Sequence, residues 1–125
     1  MSGNYSFDSS SPIYLQIAES IQLNIVSDKW KPGQRVLPVR DLAIEFGVNP
    51  NTMQRALFEL ERIGLMYSER TSGRFVTDDI ARIATLRDSM SEKETAWFLS
   101  YMEKLGFTAD RIAEKVDSAI KRGKR

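Results

Sequence analysis

Between Leu37 and Gly64 the chain starts and stops a helix twice in quick succession, and this punctuation restricts the fold more than any other feature of the sequence. Leu37-Pro38 places an extended residue before a proline that can open a helix. Val39, Leu42, Ala43 and Phe46 then recur at helical spacing, and Gly47 stops the segment. After Val48, Asn49-Pro50 repeats the start signal with a capping side chain and a proline whose missing N–H is no loss. Met53, Ala56, Leu57, Leu60 and Ile63 form the next apolar face, closed by Gly64. Two helices joined by a short glycine-containing turn make a helix-turn-helix.

The flanking segments complete a domain. Ser11-Pro12 reads as an N-cap followed by proline, and Ile13, Ile17, Ala18, Ile21 and Ile25 give a helix one apolar face to about Val26, before the turn Trp30-Lys31-Pro32-Gly33. Downstream, Leu65–Ser68, a polar turn over Glu69–Gly73 and Arg74–Thr77 predict a hairpin, which at this length must pack on the helices to be stable. The expected fold is mainly α with a small β-hairpin. A flexible N-terminus covers 1–11, a winged helix-turn-helix domain 12–77, a helical dimerisation segment 78–120 and a basic tail 121–125.

Composition removes whole classes of function. The chain has no cysteine and no histidine, so disulfides, thiolate nucleophiles, imidazole bases and most transition-metal sites are absent together. No enzymatic activity, cofactor or metal is expected. No apolar run reaches membrane-spanning length, and the first residues lack the pattern of a secretory signal, which predicts a cytoplasmic protein without a membrane partner. The net charge is only +1, and residues 30–76 carry seven basic against five acidic side chains, so charge alone decides nothing.

The ordered text PIYLQIAESI (Pro12–Ile21), KPGQR (Lys31–Arg35), VRDLAIEFGVNPNTMQRALFELERIGL (Val39–Leu65) and SGRFV (Ser72–Val76) resembles the DNA-binding domain of the GntR family of bacterial regulators. Two positions depart from the family pattern. Pro38 stands where the family usually has the serine of Leu-Pro-Ser, and Thr71 occupies the first of the two glycine positions in the wing. The short helical end resembles the YtrA-like branch, whose appended helices serve dimerisation and whose members often govern transporter genes.

In a helix-turn-helix the second helix enters the major groove with its N-terminal residues on base edges, while the preceding helix crosses the backbone. Asn49, Asn51, Thr52, Gln54 and Arg55 occupy those first turns. Amides pair with adenine, arginine with guanine, and hydroxyls with bases or phosphates. Asn49 serves equally well as a helix cap, and Thr52 as support for the first turn. The resemblance implies that Arg40 contacts phosphate or base, the alternative being an ion pair with a neighbouring acid. Ser72, Gly73 and Arg74 suit close approach of the wing to backbone or minor groove. Arg35, Arg62 and Arg70 read as ordinary solvated charge.

Beyond the wing, Ile80–Arg87, Ala96–Leu105 and a segment capped by Thr108 suggest two or three short helices, with Gly106 before the last. These cannot easily enclose the roughly 300–1,000 Å³ of a small-molecule site. The cluster Trp97, Phe98, Tyr101, Met102 and Leu105 is too apolar for a free helix, which points to a two-fold interface; the alternative is packing back on its own domain. A cleft between protomers that admits a small effector is left open. The expected protein is a homodimeric regulator of double-stranded DNA that represses from a palindromic, inverted-repeat operator, its own operon and transporter genes among its targets. A winged-helix module for a protein partner is the competing reading, and the polar face at Asn49, Asn51, Gln54 and Arg55 argues against it.

Overall fold

The computed structural model describes residues 7–124. In chain order these form α1 (Ile13–Val26), α2 (Val39–Phe46), α3 (Pro50–Arg62), β1 (Met66–Glu69), β2 (Gly73–Val76), α4 (Ile80–Lys104) and α5 (Ala109–Gly123). One compact unit extends to Arg87 and a second begins at Asp88.

Within the first unit, Ile17, Ile21 and Ile25 of α1, Leu42 and Phe46 of α2, and Met53, Leu57 and Leu60 of α3 are all buried, with Leu65 and Val76 from the wing. Each helix therefore contributes the face its periodicity marks, and burying these large side chains drives the three helices together. Ile13, expected on the same face of α1, is instead largely exposed, because it lies at the first residue of the helix.

Helix ends follow local chemistry. Asn49 caps α3, its Oδ1 accepting from Asn51 N at 2.7 Å, with Pro50 behind it. Gly47 closes α2 at φ 69°, a left-handed backbone that costs glycine no Cβ clash. One expected cap differs. Pro12 rather than Ser11 is the N-cap of α1, and its extended backbone (ψ 141°) leaves the first turn without a side-chain cap. Gln16 instead ties the preceding segment to the helix, donating to the carbonyls of Asp8 and Ser11. Pro38 likewise begins α2 with no side-chain cap, the local consequence of proline at the usual serine position. Of the expected flexible lead-in, residues 1–6 lie outside those described; at its other end Asp8 N donates to Gln16 Oε1.

The wing is a two-stranded antiparallel hairpin with Met66 opposite Val76 and Glu69 opposite Gly73. Its turn requires a positive φ only at Gly73 (φ 110°), which is why Thr71 is tolerated at the other glycine position. The connection before α2, read from sequence as a plain turn, borders the wing through an isolated bridge. Arg35 bridges Phe75, Val36 N donates to the Arg74 carbonyl, and Val76 N donates to the Gln34 carbonyl.

The C-terminal part differs from the expected pair of short helices after the wing. Ile80–Lys104 is one continuous 25-residue helix, since nothing between Arg87 and Ala96 is a glycine or proline that would break it. Thr108 caps α5 as expected, accepting from Arg111 N. Lys121 and Arg122, expected in a basic tail, form the last turn of that helix, where their charge complements the helix dipole; Arg125 lies outside the described residues.

Candidate nucleic-acid interface

Helix α3 buries Met53, Ala56, Leu57 and Leu60, and this single choice turns the remaining positions outward. Asn49, Asn51 and Arg55 are exposed, and Thr52 and Gln54 are half-buried. All five lie at the N-terminal end of α3, where side chains of a helix-turn-helix reach base edges. Asn49 spends its Oδ1 on the cap, so its side-chain N–H groups are what remains for a ligand.

Arg55 is not a freely waving side chain. Its guanidinium lies over the ring of Tyr14 in α1, 4.0 Å from the ring centroid. Such stacking occupies the flat face of the guanidinium and leaves its N–H edge available. Tyr14 escaped the sequence reading because it falls one residue outside the apolar stripe of α1, and only the crossing of α1 with α3 brings it to Arg55.

Arg40 is exposed on the first turn of α2 and has no ion-pair partner among the described residues. At the wing, Ser72 and Gly73 are exposed in or beside the turn. Arg74 is placed otherwise than a wing-tip contact: its side chain is only 15% exposed and its Nε donates to Glu61 Oε2 of α3 at 2.6 Å. Ser68 Oγ donates to the same oxygen at 2.6 Å. Partial burial pushes the Glu61 carboxyl up, but the hydrogen bonds from Ser68 and Arg74, with the charge of Arg74, outweigh it and hold the group below the usual carboxylate range. On the outer side of α3, Arg62 is paired with Glu59 and holds that carboxyl low. Among the cations set aside in the sequence reading, Arg35 lies beside the wing turn: a Cβ on Gly73 would be 3.4 Å from its Nε and Nη2.

The second unit presents a different surface. Trp97, Phe98, Tyr101 and Leu105 are exposed, Trp97 at 67%, and Met102 is half-exposed. Trp97 and Tyr101, four residues apart on α4, stack with ring centroids 5.5 Å apart. Leu99, Val116 and Ile120 add further exposed apolar area. Phe98 and Leu99 of α4 and Ile112, Val116 and Ile120 of α5 line an open groove of about 820 Å³. No cluster of His, Cys, Asp or Glu suited to a metal ion, and no helix long and apolar enough to cross a membrane, occurs among the described residues.

A helix-turn-helix with a polar first turn on its second helix and a hairpin wing beside it defines a class of DNA-binding domain. Residues 13–76 match the family model described as bacterial regulatory proteins, gntR family, and the chain belongs to that family. It is 35% identical over 117 residues to the uncharacterized HTH-type transcriptional regulator YhcF of Bacillus subtilis, covering 94% of this chain and 97% of that one. The HTH-type transcriptional repressor YtrA of the same organism is 37% identical over 71 residues, 57% of this chain and 55% of YtrA. A GntR family transcriptional regulator from Listeria monocytogenes superposes with a TM-score of 0.83 at 39% identity, over 90% of this chain and 98% of that one. The AraR DNA-binding domain in complex with operator ORR3 superposes with a TM-score of 0.52 at 32% identity, over 60% of this chain and 90% of that one. The protein is thus a transcriptional regulator with a DNA-binding domain, not an enzyme.

Proposed function

We propose that this regulator is a repressor that binds an inverted-repeat operator as a homodimer, its own operon and transporter genes among the targets. In this reading residues 12–77 bind DNA and 78–120 dimerise, in the manner of the short-tailed YtrA-like branch, and the protein works in the cytoplasm. The observation that carries it is the outward set Asn49, Asn51, Thr52, Gln54 and Arg55 at the start of α3, with Arg40 one helix earlier and Ser72-Gly73 at the wing. These side chains suit base edges and phosphates, and the similar domain of AraR is seen with operator DNA. Repression is favoured by the name of the similar YtrA, and a dimer by the exposed aromatic surface of α4.

The deciding experiment is selection of fragments from the source genome by purified protein at two salt concentrations. Recovery of a palindrome whose half-sites lie about one helical turn apart supports the proposal. Salt-sensitive retention with no sequence preference at either concentration would falsify operator recognition by the free protein.

A further inference from the structure

We propose that Arg35, in the segment before α2, is the wing's contact to the DNA phosphate backbone, in the place where the pattern of the wing points to Arg74. The inference rests on the reading that the wing meets DNA, and four observations carry it. The charge of Arg74 is already spent: its Nε is bonded to Glu61 Oε2, and that carboxylate also draws in Ser68. Arg35, by contrast, is exposed and has no ion-pair partner among the described residues.

Its backbone is held rigidly at the wing's edge. It bridges Phe75, and the residues on either side, Gln34 and Val36, exchange hydrogen bonds with Val76 and Arg74. Its guanidinium lies against the bare Cα of Gly73, at 3.4 Å from where a Cβ would stand. A Cβ at residue 73 would meet that guanidinium at ordinary van der Waals distance, and the cost of replacing the glycine lies in the strained backbone at φ 110°. Gly73 therefore gives the turn its conformation, and the Arg35 guanidinium lies alongside it at the exposed turn of the wing. A guanidinium unpaired in the free protein pays little to leave water-filled surroundings for a phosphate oxygen, whereas Arg74 would have to abandon a carboxylate.

The test is fluorescence anisotropy of the full chain on a labelled mixed-sequence duplex, repeated over a salt series, with folding checked by thermal melting. Arg35→Ala should weaken binding several-fold and lower the slope of log K against log salt by about 0.9, the signature of one lost phosphate contact. Arg35→Lys, which keeps the charge, should retain the slope, and Arg74→Gln should leave it unchanged. Equal slopes for wild type and Arg35→Ala, or a loss seen with Arg74→Gln instead, overturns the proposal. A change of base preference on selected fragments at unchanged slope overturns it too, since that marks a base contact. Absence of any binding by the wild-type chain would overturn the wider DNA-binding reading and this proposal with it, and is recognised because no variant then differs from wild type.

Discussion

Arg74 reaches back from the wing to Glu61 on α3, with its Nε 2.6 Å from the carboxylate oxygen Oε2. The two residues are 13 apart in sequence, and their pair, 15% and 25% exposed, lies between solvent and core, where a charge-assisted bond is worth more than at an open surface. The wing is too short to be stable alone, so this tie and the burial of Met66 and Val76 decide how it lies on α3.

Breaking the tie should loosen the wing. Arg74→Ala is expected to lower stability by about 1–2 kcal/mol, because Glu61 keeps only the Ser68 hydroxyl and stays partly shielded from water. Urea unfolding reads the loss, and amide exchange at the wing should rise more than in α1.

The same carboxylate makes stability depend on pH. The folded-state pKa of Glu61 is lowered, so its contribution is fully present above the unfolded value of about 4.3 and is lost as pH falls through the folded pKa. Between neutral pH and pH about 3, wild type should therefore lose more stability than Glu61→Gln, which cannot titrate. Parallel curves for the two proteins would show that the pair contributes nothing.

At the start of α3, cap and reader separate by substitution. Asn49→Ala should cost about 0.5–2 kcal/mol of stability and Asn49→Ser much less, since serine also caps. Gln54→Ala should leave the melting temperature nearly unchanged and Arg55→Ala should lower it only by the loss of its stack on Tyr14, while each relaxes base preference by about 1–3 kcal/mol of discrimination in competition binding.

Tyr14 should share the phenotype of Arg55 through the ring beneath the guanidinium. Tyr14→Phe keeps the ring and should bind as wild type, whereas Tyr14→Leu should couple to Arg55→Ala in a double-mutant cycle by about 0.5–1 kcal/mol. Independent effects of the two changes would rule out the stack in solution.

The exposed aromatic stack on α4 should set the oligomeric state. Replacing Trp97 and Tyr101 with serine is expected to lower the sedimenting mass towards that of one chain while helicity is kept. An unchanged mass would assign the interface elsewhere.

Most of the architecture was legible because it is local. The periodicity of Met53, Ala56, Leu57 and Leu60 depends only on helical geometry, and Gly47 and Asn49 act within one turn of themselves. The order of these signals was enough for the helix-turn-helix, the wing and the family. Where the expectation failed locally, the reason was also local: Pro12 caps α1 by backbone alone, and the uninterrupted stretch after Arg87 carries no breaker to divide α4.

The sequence by itself thus determined where the helices of the helix-turn-helix start and stop, which of their faces are apolar and which side chains stand at the start of α3. Only the tertiary structure decided the partners of the arginines. Arg74 is tied to Glu61, Arg55 to Tyr14, and Arg35 lies beside Gly73 with its charge unpaired among the described residues. All seven basic residues between Trp30 and Val76 look alike along the chain. What distinguishes them is distance to a carboxylate or a ring on another element, and that distance is fixed by how the core packs.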